Sequence, residues 1–320
     1  MRTTSLALLF FIGACGRTDA DRPGERSRLV VYNAGSLARP IRAALQEYAR
    51  RESVVVEQES AGSLETARKI TELGKVPDVI ALADPEVFPA LLIPAHVRWY
   101  AAFARNRMVI AYRDRSAGAG EITGDNWWRV LARPGIAVGR SDPDLDPNGY
   151  RTLLVLRLAE RRLGQPNLER DLIRQWGTRY VRPKEVDLLA LLEAGEVDYI
   201  WSYESLARTA GVRYVRLGDS LDLGAPGDSA RYAEVSVRVA GAARRDTITI
   251  AGAPIVYALS IPTAAANQAA AADFARFLLS DDGRAAMRRE GLDVLDEPIV
   301  TGTGVPARLR GGARQEAPVP

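Results

Sequence analysis

The run LVVYNAGSLARPIRAAL, Leu29–Leu45, is followed by VVVEQESAGSLETARKI, Val54–Ile70, and both contain the tetrapeptide AGSL. In each, a β-branched apolar run precedes the tetrapeptide and an amphipathic helical pattern follows it, which predicts two buried strands joined to helices through small-residue turns. An open α/β sheet places such junctions at the carboxyl ends of its strands, where ligands bind and helix starts offer unpaired N–H groups. Two readings of the turns stand side by side. Ser36 and Ser63 serve as helix N-caps, contributing ~1 kcal/mol each, with Gly35 and Gly62 only permitting the turn. Alternatively, both turns present hydroxyls and N–H groups to one anion.

The 320 residues carry 26% charged residues and a formal charge of +3, a globular composition too long for one typical core. Two domains are expected. Arginines and acids are interspersed, with no basic stripe or aromatic interleaving, so no nucleic-acid partner is expected. The start, MRTTSLALLFFIGAC, reads as an export signal, residues 1–15, too short to span a bilayer. It resembles a bacterial lipoprotein signal in which the only cysteine, Cys15, is the acylated first residue of the mature chain. Residues 16–27 then read as a flexible tether.

Downstream, VPDVIALADP and RMVIAYRD continue the strand pattern, and the rhythm of strands and helices implies a parallel sheet. Residues 28–112 and 255–300 are assigned to a discontinuous first lobe, 113–254 to a second α/β lobe, and 301–320 to a disordered tail. The single histidine, His96, stands beside Pro94 in no catalytic context. Phosphate-loop, nucleophile-elbow and zinc-protease patterns are absent from the sequence.

Three second-lobe residues have local explanations. Asp146 before Pro147 fits an N-cap, Glu185 fits a helix first turn, and Tyr203 follows a strand. Yet the ordered set AGSL, AGS, DPEVFPALLIP, WYAAFARNRMVIAY, SDPDLDPNGYR, RPKEVDLLALLEAGEVDYI and APIVYALSIP resembles the tungstate/molybdate-binding proteins of ABC importers, over Leu29 to about Val300. The resemblance implies a type II periplasmic-binding-protein fold, two α/β lobes closing on an oxyanion, with a permease and ATPase as partners. It also implies an extracytoplasmic monomer, tied to the membrane through its lipid, without cofactor or catalysis. Gly35, Ser36, Ser63 and Tyr203 would hydrogen-bond the oxo groups, and Asp146 and Glu185 would coordinate the metal centre. The family often has Cys where Asn148 stands, and the 164–182 stretch is shorter here. Carboxylates facing a dianion in a dry cleft repel it unless they bond to its central atom, which Mo(VI) and W(VI) allow. A ferric-type receptor, and a hydrolase using Asp146 and Glu185 as acid and base, are the alternative readings.

Overall fold

The computed structural model describes residues 28–241, 246–310 and 314–316; the expected signal, Cys15 and the 16–27 tether lie outside them. Strand β1 (Arg28–Ala34) passes through one 3-10 turn, Gly35–Leu37, into helix α1 (Ala38–Glu52), whereas β2 (Val55–Ala61) leads almost directly into α2 (Ser63–Thr71). Strands β3 (Val79–Leu82) and β4 (Trp99–Arg105) follow. Next come β5 (Met108–Tyr112), α3 (Trp127–Leu131), β6 (Val138–Ser141), α4 (Pro147–Leu163) and α5 (Leu168–Trp176). Then β7 (Val181–Arg182), α6 (Val186–Ala194), β8 (Tyr199–Tyr203), α7 (Glu204–Thr209) and β9 (Arg213–Arg216) complete the middle of the chain. A short α8 (Ser229–Tyr232) and the antiparallel pair β10 (Ser236–Ala240) and β11 (Thr247–Ala251) precede β12 (Val256–Ser260). Helices α9 (Gln268–Leu279) and α10 (Asp281–Arg289), β13 (Asp293–Gly302), α11 (Ala307–Arg310) and β14 (Arg314–Glu316) end the described chain.

These strands form two main sheets. The first has the order β14-β13-β4-β12-β3-β1-β2, and the second β7-β6-β8-β5-β9. Strands β1 and β2 pair in parallel with Ala34 opposite Ala61, so the two AGSL turns leave the sheet side by side. In the second sheet β6 pairs in parallel with both β7 and β8, and its cleft-facing residues follow the ends of these three strands. The first sheet is mixed, because β12 inserts antiparallel between β3 and β4.

Two expectations are corrected. Met108–Tyr112 pairs with β8 and β9, so β5 belongs to the second sheet and the chain crosses at Asn106–Arg107 rather than after residue 112. A fully buried strand reads the same in either sheet, and its local pattern carries no information on which neighbours it finds. The stretch from residue 301 is not a structureless tail among the described residues: β13 runs to Gly302, α11 buries Leu309, and β14 pairs with β13. The Gly, Pro and Arg of this stretch have the composition of a tail, while Val305 and Leu309, both buried in the first core, anchor it.

The crossings between sheets lie against each other. Asn106 N–H donates to Ile255 C=O at 3.2 Å, and Met108 N–H donates to Asp222 C=O at 2.7 Å. On the opposite side the lobes meet at the second AGSL. The C=O of Leu145, from the loop before α4, accepts from the N–H groups of Leu64 (3.1 Å) and Glu65 (3.2 Å) at the start of α2. This interlobe contact needs Gly62, since a Cβ there would lie 2.2 Å from the Leu145 oxygen. Gly62 has φ −62°, which alanine adopts without strain, so the obstacle is steric and confined to the lobe interface. Gly62→Ala should therefore leave the melting temperature nearly unchanged. It should also weaken capture of the implied oxyanion by about tenfold or more, or ~1.4 kcal/mol, read by calorimetry.

Candidate functional site

The six residues anticipated around the oxyanion stand at the carboxyl ends of parallel strands: Gly35 and Ser36 after β1, Ser63 after β2, Asp146 beyond β6, Glu185 beyond β7, and Tyr203 at the end of β8. Ser63, Asp146, Glu185 and Tyr203 are buried and Ser36 is partly exposed.

None of the local capping roles is used. Ser63 is the first residue of α2, and its Oγ accepts from Ala83 N–H at 3.0 Å instead of capping the helix. Ser36 lies within the 3-10 turn, and its Oγ accepts from the hydroxyl of Tyr257 at 3.2 Å. Asp146 occupies the N-cap position of α4 without bonding a helix N–H. Its Oδ2 accepts from Glu185 N–H at 2.9 Å and so ties the start of α4 to the start of α6. Glu185 stands at the N-cap of α6, yet its Oε1 accepts from Ser202 Oγ and from Tyr203 N–H, both at 2.6 Å. Its other oxygen, Oε2, is buried without a hydrogen-bond partner among the described residues.

The second AGSL differs from the expected anion cradle in one respect. Two of its helix-start N–H groups hold Leu145 C=O, a protein group from the facing lobe, so the Ser63 hydroxyl rather than that pair remains for a ligand. Gly35 packs against Lys184 and Val186 of the second lobe, and its φ lies outside the left-handed region.

The hydroxyls share a common polarity. Tyr203 OH accepts from Arg151 Nη1 at 2.7 Å, Ser63 Oγ from a backbone N–H, and Ser36 Oγ from Tyr257, which itself accepts from Asn106 Nδ2 at 2.8 Å. Each accepts within the protein and keeps its own proton for donation outward. Burial holds the Tyr203 hydroxyl well above its ordinary pKa, which keeps it a neutral donor.

The same burial acts on the acids. Desolvation pushes Glu185 up to about 8, against hydrogen bonds from Ser202 and Tyr203 and the charge of Arg151, with Asp146 adding to the rise. Asp146 is pushed up to about 6 by burial, against hydrogen bonds from Ser141 and Glu185 and the same guanidinium. Among the described residues, no three His, Cys, Asp or Glu side chains come together as a cation site.

Sequence reasoning missed Asp84, Asn106, Tyr150, Arg151 and Tyr257, all buried in or around this network. One signal was available for Arg151: an arginine in the opening turns of a helix, where the macrodipole favours acids, asks for a compensating partner. Asn148, where the resembled family often has Cys, is also buried, with Oδ1 3.4 Å from Ser141 Oγ.

Comparison with known proteins places this geometry. The family model of the bacterial extracellular solute-binding proteins matches residues 29–293, and the chain belongs to that family. An uncharacterised solute-binding protein of Petrotoga mobilis is 40% identical over 298 residues, 92% of this chain and 91% of that one. The molybdate/tungstate-binding protein WtpA of Pyrococcus abyssi is 32% identical over 339 residues, 97% of each chain. Among solved structures, the periplasmic molybdate-binding protein of Azotobacter vinelandii superposes with a TM-score of 0.57 at 16% identity, covering 82% of this chain and 98% of that one. The fold is that of the type II periplasmic binding proteins, as the resemblance implied.

The raised carboxyl pKa values give a pH dependence. A carboxyl whose pKa rises on burial binds its proton more tightly in the closed protein than in the unfolded chain, so stability falls as pH rises from the unfolded value to the folded one. For Asp146 that window runs from 3.8 to about 6, and for Glu185 from 4.5 to about 8. The melting temperature without oxyanion should drop between pH 5 and pH 8, and Glu185→Gln should flatten the fall above pH 6. An equal slope in the variant would remove Glu185 from this account.

Proposed function

We propose that the protein is an extracytoplasmic receptor that captures tungstate or molybdate between its lobes and hands it to an ABC importer, without catalysis. The observation that carries the reading is Glu185 Oε2, a fully buried carboxylate oxygen with no hydrogen-bond partner among the described residues, beside the buried Asp146. An orphaned acceptor in a dry interior costs on the order of 1–3 kcal/mol, more if charged. A metal centre that accepts additional oxygen ligands removes that cost, and sulfur in sulfate does not.

In this reading Asp146 and Glu185 bond to the Mo or W centre from the second lobe. Ser36, Ser63 and Tyr203 donate to its oxo groups, and the Gly35 turn brings backbone to the same side. The likeness to the molybdate/tungstate-binding protein of Pyrococcus abyssi supports the ligand class. The Arg151 guanidinium, whose Nη1 lies 2.7 Å from the Tyr203 oxygen, sets a permanent positive charge beside that hydroxyl and supports an oxyanion over a ferric ion. Acylation of Cys15, which lies outside the described residues, would hold the receptor at the membrane. Delivery follows if opening of the lobes at a permease breaks the shared coordination. The protein acts as a monomer in this scheme, and cleft closure accompanies binding.

Calorimetry on Asp146→Asn and Glu185→Gln tests the reading. Each should weaken tungstate and molybdate binding by at least about tenfold, ~1.4 kcal/mol, and leave sulfate binding equal or stronger. X-ray absorption of the wild-type complex should give a coordination number above four, with longer oxygen distances beside the oxo set. A tetrahedral spectrum together with unimpaired variants would overturn metal coordination by these acids.

A further inference from the structure

Arg151 lies in α4 and is 3% exposed, yet none of the roles above needs it as a ligand contact. Its Nη1 donates to two oxygens, Tyr203 OH and Ala83 C=O, both at 2.7 Å, and its Nη2 lies 3.1 Å from Asp84 Oδ2. Tyr150, the preceding residue, donates its hydroxyl to the same Asp84 oxygen at 2.5 Å. Ala83 and Asp84 follow β3 in the first lobe, whereas Arg151, Tyr150 and Tyr203 belong to the second. The guanidinium therefore spans the cleft.

Its two Nη1 acceptors each touch the site. Tyr203 OH has one lone pair engaged by Arg151, which leaves its proton to point elsewhere. Residue Ala83 is held on both sides: its N–H donates to Ser63 Oγ and its C=O accepts from Arg151. One planar side chain thus reaches a hydroxyl of the second lobe directly and a hydroxyl of the first through a single backbone residue.

We infer that Arg151 is a positioning residue, which aims the Tyr203 and Ser63 hydroxyls at the bound oxyanion and, through Asp84, locks the lobes in the closed arrangement that makes this aim possible. The fork matters as well as the charge. A guanidinium presents several fixed donors, whereas an ammonium on a shorter stem cannot reach all three acceptors in that geometry. The lock concerns release more than encounter, since Asp84 and Arg151 meet only across a closed cleft. This inference rests on the oxyanion reading of the site.

A double-mutant cycle on the full chain tests it, with tungstate as the probe and stopped-flow kinetics as the readout. Arg151→Met should raise the dissociation rate at least about tenfold with association nearly unchanged. Tyr203→Phe should weaken binding in the wild-type background and add little in the Arg151→Met background, because the unaimed hydroxyl no longer donates. Asp84→Asn removes the lock while leaving Arg151 on Tyr203, so it should speed dissociation and retain the full effect of Tyr203→Phe. Should Arg151→Met fail to fold, Arg151→Lys replaces it, with the same expected direction. Independent, multiplying effects of Arg151 and Tyr203 substitutions would overturn the positioning role, as would a lowered melting temperature with a wild-type dissociation rate. Failure of the wild type to bind tungstate or molybdate would instead sink the oxyanion reading, a different result from wild-type binding with independent variants.

Discussion

Two carboxyl groups buried side by side between lobes are the constraint around which this molecule is organised. Asp146 and Glu185 both rise in pKa through loss of water, and each is held by donors that are not its own helix: Glu185 N–H for one, Ser202 and Tyr203 for the other. Burial of unpaired charge is expensive enough that proteins avoid it unless a partner or a cation answers it. The Arg151 guanidinium, which also pairs with Asp84, is a positive charge that works against the rise of both acids. A cleft of this composition is poorly suited to a simple dianion and well suited to one whose centre takes carboxylate oxygens.

The scaffold explains how such a site is assembled from distant segments. Every contributing residue follows a parallel strand at its carboxyl end, so two sheets facing one another deliver five side chains without long loops. The chain crossings lie close to the same network. Asn106 sits at the first crossing and donates to both Ser205 Oγ and Tyr257 OH, and Tyr257 donates in turn to Ser36. The crossing and the candidate Ser36 hydroxyl are separated by one tyrosine.

Much of the site was legible because its residues fall at junctions that local chemistry marks. The paired AGSL turns announced strand ends, and the Asp146-Pro147 pair announced a helix start. What local chemistry could not give was the use of those groups. A serine after a strand is a cap in one fold and not in another, and only the approach of Ala83 to Ser63 and of Tyr257 to Ser36 shows that neither hydroxyl caps its helix here. The same limit applies to β5, whose five buried residues read identically in either sheet. Arg151 escaped because its acceptors are Ala83, Asp84 and Tyr203, all more than 50 residues away in the chain.

The carbonyl of Leu145 on the start of α2 bears on how discrimination arises. On the proposed receptor reading, that contact belongs to the closed conformer and involves none of the candidate ligand groups, so it raises the population of that conformer by the same factor whatever is bound. An apparent dissociation constant scales inversely with the competent fraction, and such a factor improves affinity for one solute and another alike. Ratios between those affinities are untouched by it. Selectivity is thereby assigned to groups that distinguish one central atom from another, and affinity to a neutral peptide at the lobe interface, so that each can drift in sequence without dragging the other along.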